Sequence, residues 1–279
     1  MRTKVLMKWL ATLVMMAAAG HASAQTQAQG IDALLDKAVY GEHRSEASRL
    51  RDKYRHPRET LTFFGLKPDM AVLEIWPGAG WYSEILAPVL RDKGQFTMAH
   101  YAVESPKAPS WQRDALRKHQ ADFAKRADLY GQPSFTALAP PDFIAIAPAG
   151  SQDMVLTFRN VHNWSAQKTD AVVFKAFFEA LKPGGILGVV EHRANAGTPL
   201  EQQVKSGYMT EAYVIELAEK AGFKLAAKSE VNANAKDTKD HPNGVWTLPP
   251  MSRGRLDPEK YLAIGESDRM TLRFEKPAR

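Results

Sequence analysis

From Met70 onward the sequence alternates between short apolar runs and segments with helical periodicity. Ala71-Val72-Leu73-Glu74-Ile75-Trp76 is almost wholly apolar, with Pro68-Asp69 before it and Pro77-Gly78 after it. A strand buried on both faces of a parallel sheet has this pattern. Further strands are predicted at Gln95–Tyr101, Ser134–Leu138, Asp153–Phe158, Ile186–Val190, Phe223–Val231 and Met270–Glu275. Helices are predicted at Trp81–Arg91, Trp111–Leu129, Asp170–Leu181 and Thr210–Ala221, the third stopped by Lys182-Pro183-Gly184-Gly185 and the fourth by Gly222. This spacing implies βαβ units with right-handed crossovers, and hence an α/β fold on a mostly parallel sheet. Ahead of it, Ile31–Tyr40, Ser45–Tyr54 and Pro57–Phe64 read as an N-terminal helical extension that ends at Gly65. A long stretch rich in Asn, Asp, His and Pro, Asn232–Pro250, separates the last two strands. Loops of such length are often functional lids.

The first eight residues carry Arg2, Lys4 and Lys8 and no acid, and Trp9–Ala19 is then apolar except for Thr12. Gly20-His21-Ala22-Ser23-Ala24 supplies the small residues that a signal peptidase reads. Residues 1–24 are therefore expected to be a signal peptide, cleaved between Ala24 and Gln25. The apolar run of about eleven residues falls short of the ~20 that a spanning helix needs. The mature chain is expected to be periplasmic or secreted, without stable membrane insertion, and to comprise the extension (25–65) and the α/β domain (66–279). Cysteine is absent, which suits an oxidising compartment and excludes disulfides, thiolate nucleophiles and Cys-based metal sites. The formal charge of +6, from 37 basic and 31 acidic residues, falls to about +3 without the leader, too little for a nucleic-acid footprint. With 44% hydrophobic and 24% charged residues, long disorder is excluded as well.

In open α/β sheets, ligands bind beyond the carboxyl ends of the strands, and the sequence places its polar groups there. Pro77-Gly78-Ala79-Gly80 follows the first strand and opens a helix, and its two glycines let the backbone approach a ligand. The second strand ends in His100-Tyr101, the fourth runs into Arg159-Asn160-Val161-His162-Asn163-Trp164, and the fifth into Glu191-His192-Arg193. Histidine suits proton transfer near neutral pH, and arginine holds an anion in a fork. His162, His192, Glu191 and Arg159 are therefore the candidate catalytic residues. Glu191 with Arg193 or Arg159 reads equally as a structural ion pair at the sheet's rim. His162, His192, Glu191 and His241 are metal-ligand types, but no His-Glu-x-x-His or similar spacing occurs, and no metal is assigned. Neither a Gly-x-Ser-x-Gly elbow nor a P-loop ending is present. Trp76 and Trp81 bracket the glycine turn as packing or stacking residues. Asn232, Asn234, Asp240 and His241 are candidate substrate contacts in the long loop.

These residues also carry a resemblance. Val72-Leu73-Glu74-Ile75-Trp76-Pro77-Gly78-Ala79-Gly80 resembles the nucleotide-binding motif of class I S-adenosylmethionine-dependent methyltransferases. Leu181-Lys182-Pro183-Gly184-Gly185-Ile186-Leu187 is similar to that family's turn into its fifth strand. The likeness spans roughly Leu66 to the C-terminus. Within it, Thr157–Trp164, Val190–Arg193 and His241-Pro242-Asn243-Gly244-Val245-Trp246 look like a secreted subgroup of predicted methyltransferases. The resemblance implies a Rossmann-like, doubly wound, mostly parallel seven-stranded sheet with S-adenosylmethionine as cofactor. The methyl acceptor would be a small molecule or an envelope-associated one. Cofactor contacts carry over to Glu74, Trp76, Gly78, Gly80, His100, Tyr101 and Asn160. The chain departs from the family's pattern at three points. Trp76 replaces the first glycine of the turn. His100-Tyr101 lacks the acid that grips the ribose hydroxyls, with Glu104 a few residues late. No acid directly follows the third strand, where Asp142 is nearest. Two other readings stay open: an exported binding or stress protein that keeps the fold without methyl transfer, and a different, metal-assisted enzyme built on the strand-end His/Glu/Arg cluster.

Overall fold

The computed structural model describes residues 30–102 and 109–278. The expected leader, its cleavage site and Glu104 lie outside the described residues. Helix α1 (30–39), the single turns α2 (Glu46–Arg49) and α3 (Asp52–Arg55), and α4 (Pro57–Phe64) come first. One helix was expected over Ser45–Tyr54, and two short ones are found. Ser45 caps the first by accepting the Ser48 N–H at 3.1 Å. The second places Arg51 and Arg55 within reach of one carboxylate, Glu266.

The chain then alternates as anticipated. Strand β1 (Ala71–Ile75), helix α5 (Ser83–Leu90) and β2 (Gln95–His100) are followed by α6 (Ser110–Lys125), α7 (Ala127–Tyr130) and β3 (Ser134–Ala137). Next come β4 (Gln152–Phe158), α8 (Val161–Ala166), α9 (Asp170–Ala180) and β5 (Leu181–His192). Helices α10 (Leu200–Ser206) and α11 (Glu211–Lys220), strand β6 (Lys224–Ser229), helix α12 (Pro258–Ile264) and strand β7 (Arg269–Glu275) complete it. The seven strands lie in the order β3-β2-β1-β4-β5-β7-β6. The first five are parallel, and β7 runs antiparallel to both β5 and β6. Chain order reverses beside β1, so a crevice opens at the carboxyl ends of β1 and β4.

Both faces of the sheet are covered, which explains why β1 reads as a continuous apolar run. Leu73, Ile75, Val155 and Leu187 pack with Trp164, Phe174, Phe177 and Val214 on one face. Val72, Met154 and Leu156 pack with Ile85, Leu86 and the extension's Leu35, Leu61 and Phe64 on the other. Burial of each large apolar side chain contributes roughly 1.5–3 kcal/mol, so the extension is a layer of this fold. Among the described residues, no helix is long and apolar enough to cross a membrane.

Two local differences from the sequence reading shape the site. Glu191 and His192 do not follow β5; they are its last two residues, held extended by pairing with Met270 and Arg269 of β7. Helix α8 begins directly after Asn160, although Val-His-Asn-Trp-Ser-Ala contains few strong helix formers. Its formation follows from burial of Val161 and Trp164.

Candidate active site

A cavity of about 340 Å³ lies over the carboxyl ends of β1 and β4. The glycine turn, Asn160, His162, Asn163 and His192 form one wall, Arg51, Arg55, Arg159 and Arg269 another, and Trp246 with Leu248–Met251 the loop side. The long loop therefore does overlie the site, but through residues other than those anticipated. Asn232 donates to Thr60 and Thr271, Asn234 to the carbonyls of Ile264 and Glu266, and His241 is paired with Asp237 at 2.8 Å. Asp240 is exposed, and none of these four lines the cavity.

The glycine turn is held by its aromatic neighbours. Trp76 has φ +46°, a left-handed backbone that is strained for a bulky residue. Its indole N–H donates to the Leu138 carbonyl at 2.9 Å, and its ring packs on Tyr101 and Trp164 at 5.1 and 5.4 Å. Gly78 has φ +63°, and a Cβ built on it would meet nothing within 4 Å, so the turn is open there. Gly80 is closed: at φ +81° its Cβ would meet His119 Nε2 at 2.8 Å. The Nδ1 of His119 lies 2.8 Å from Nε2 of His100. His100 is therefore fully buried behind the turn and does not line the cavity, whereas Tyr101 does. Burial lowers both imidazoles, His100 to about 4. Trp81 lines the cavity as well as packing, its indole donating to the Ser48 carbonyl and its ring covered by the guanidiniums of Arg44 and Arg55.

Glu74 reaches the cavity from a buried strand, and its carboxyl accepts one hydrogen bond, from Ser83 Oγ at 2.6 Å. Burial pushes it up to about 8, so the neutral form prevails at pH 7. The folded state then keeps a proton that the unfolded chain releases above its ordinary 4.5. Stability from this source is full below that pH and drains away as the pH rises to about 8. Glu74→Gln, which cannot ionise, is expected to match the parent's melting temperature near pH 4.5 and exceed it increasingly towards pH 8. The gap should reach a few kcal/mol, at ~1.4 kcal/mol per pH unit. A gap that stayed constant in thermal melts across this window would show that Glu74 is ionised in the fold.

Beside the turn stands a histidine held by a carboxylate. Glu191 is fully buried and accepts from the backbone N–H groups of Val161 at 2.6 Å, His162 at 3.4 Å and His192 at 2.8 Å. It also accepts from His162 Nδ1 at 3.0 Å. That bond fixes the proton on Nδ1 and leaves Nε2 as the basic nitrogen. His192 lies 5.5 Å from His162, ring to ring, with Nδ1 at 2.5 Å from Ser267 Oγ. Burial, His162 and nearby arginines hold His192 well below its ordinary value, so it is neutral. Ligand atoms of His162, Glu191 and His192 come within 4.8 Å of one another, a spacing that could suit a metal ion. The Glu191 oxygens are already engaged by four N–H donors, however, and cationic arginines adjoin the group. Chemically, such an arrangement can orient His162 as a base.

Of the two ion pairs expected as alternatives for Glu191, with Arg193 or with Arg159, the structure corrects the first. Arg193 is held by Asp268, Glu211 and Glu230 at the rim. Arg159, with φ +63°, lines the cavity, and burial together with Arg269 lowers it to about 10. Asn160 donates to the Ile75 carbonyl at 3.0 Å and to Thr157 Oγ1, tying the start of α8 to the end of β1. Arg51, Arg55, Glu266, Ser267 and Arg269 were not anticipated; the spacing of four between the first two was the only local signal.

No family model matches this chain, and no curated protein matches it in sequence. Solved structures share its fold. A SAM-dependent methyltransferase from Aquifex aeolicus superposes with a TM-score of 0.51 at 16% identity, over 81% of this chain and 92% of that one. A SAM-dependent methyltransferase from Methanosarcina mazei gives 0.50 at 14%, over 78% and 98%. SpnF, a 4+2 cyclase, gives 0.52 at 16%, over 81% of each. The fold is thus the Rossmann-like methyltransferase fold. Because a cyclase also has it, activity must be argued from the site.

Proposed function

We propose that this protein is an exported S-adenosylmethionine-dependent methyltransferase, acting on a small-molecule or envelope-associated acceptor seated beside His162. The observation that carries this reading is the pairing of an open glycine turn at Gly78 with a carboxylate-held histidine in one cavity at the sheet's switch point. The cofactor's requirements fit the residues there. Trp76 and Tyr101 offer aromatic faces, Gly78 offers close backbone approach, and Asn160 lines the same wall. Glu74 offers a carboxyl that ionises when a cationic group arrives. Gly80 and His100 shape the turn from behind. S-adenosylmethionine, when bound, supplies an electrophilic methyl group.

The chain supplies alignment and a base. Nε2 of His162 takes the acceptor's proton, and Glu191 stabilises the imidazolium that results. His192, held well below its ordinary value by burial, is too weak a base to compete for that proton. Trp246 and Leu248–Met251 line the loop side of the cavity. A second reading, a binding protein without methyl transfer, draws on one observation: the group at the end of β2 is turned to His119 rather than to the cavity.

Mature protein incubated with methyl-labelled S-adenosylmethionine and an envelope extract is expected to move label into an acceptor in a His162-dependent manner. Absence of transfer, together with nucleoside binding, would favour the second reading. Export is tested separately by intact mass. Protein from the cell envelope should begin at Gln25, and a full-length cytosolic product would refute export.

A further inference from the structure

The arginine wall has no task in methyl transfer as described. Arg51 Nε and Arg55 Nε donate to the two oxygens of Glu266 at 2.5 and 3.1 Å, and Arg269 Nη2 also donates to it. Arg159 adjoins the group. Three guanidiniums therefore bond one carboxylate and a fourth stands beside them, while Glu191 is engaged by N–H donors. Arg55 and Arg269 are each only 2% exposed. Yet Arg51 Nη2, Arg55 Nη2 and Arg269 Nε are buried without a hydrogen-bond partner. Buried donors are ordinarily paired, and buried charges ordinarily balanced. A structural ion cluster would have closed its own balance; this one is left cationic and borders a cavity.

We infer that the wall binds an oxyanion, a carboxylate or phosphate group carried by the methyl acceptor. Naming the bearer as the acceptor rests on the methyltransferase reading; the anion site does not. Guanidinium forks match both oxyanions. The left-handed backbone of Arg159 keeps a fourth fork at the wall. Tyr82, which stacks on Phe158 at 3.6 Å, and Trp246 line the same cavity, so the rest of the ligand meets aromatic surface. At about 340 Å³ the space suits a small molecule.

The test uses the mature protein with phenyl phosphate, benzoate and neutral benzyl alcohol, each titrated calorimetrically with and without S-adenosylhomocysteine. Phenyl phosphate or benzoate should bind, more weakly as salt is added, and benzyl alcohol should not; the stronger anion identifies the group. Arg159→Gln, and independently the partly exposed Arg51→Gln, should each weaken anion binding at least tenfold. Arg159→Gln should leave the ligand-free melting temperature unchanged or raised, because a like charge has been removed, whereas Arg51→Gln also gives up its bond to Glu266 and is read on anion affinity alone. A lowered melting temperature without loss of anion affinity would make the cluster structural and overturn the inference, as would failure of both anions to bind. Competition with S-adenosylhomocysteine, or its tenfold weakening in Arg159→Gln, would assign the arginines to the cofactor's own carboxylate and overturn it too. Anion binding without nucleoside binding would uphold the site and sink the methyltransferase reading.

Discussion

Replacing His162 with alanine is expected to lower methyl transfer by roughly 10²- to 10⁴-fold, the usual contribution of a positioned acid or base. Nucleoside affinity should change little, because the glycine turn and Glu74 do not contact this ring in any hydrogen bond. The fold should survive, since Glu191 keeps its three backbone donors when the imidazole is gone. Glu191→Gln is the more damaging change for stability. An amide has one acceptor oxygen where the carboxylate has two, and its NH₂ group would face backbone N–H donors. Melting temperature and turnover should thus separate the two residues: His162→Ala loses rate alone, and Glu191→Gln loses both. Equal losses of stability would make His162 a packing residue.

Valine at Gly78 and valine at Gly80 should fail in different ways. At Gly78 the new side chain has room, and the left-handed backbone costs about 1–2 kcal/mol. The domain should stay folded, and nucleoside binding should vanish because the branched side chain fills the open side of the turn. At Gly80 the Cβ would strike His119, itself bonded to His100, so the main loss should be of stability. Calorimetry and thermal melts on both variants decide this. Unaltered binding in Gly78→Val would place the ligand elsewhere.

Much of this was legible in the residues because it is local. Strands buried on both faces read as apolar runs, Gly65 and Gly222 stopped their helices, and His162, Glu191 and Arg159 sat beside strand ends that the fold brings together. What escaped was set by tertiary structure. Arg51 and Glu266 are 215 positions apart, so nothing near either one announced a shared carboxylate. Glu191 and His192 looked like the residues after a strand because they are polar; the antiparallel ladder with β7 extends β5 through them. His119 was lost in a polar helix, and only packing shows that it stands against the glycine turn. Helix α8 was missed because its burial, and not its composition, makes it helical.

The most direct measurement is calorimetric titration of the mature protein with S-adenosylhomocysteine at pH 7, in two buffers of different ionisation enthalpy. One-site binding, abolished in Gly78→Val and accompanied by release of a fraction of a proton as Glu74 ionises, is the predicted result. A parent protein that takes up no nucleoside, or one whose binding survives Gly78→Val, would contradict it.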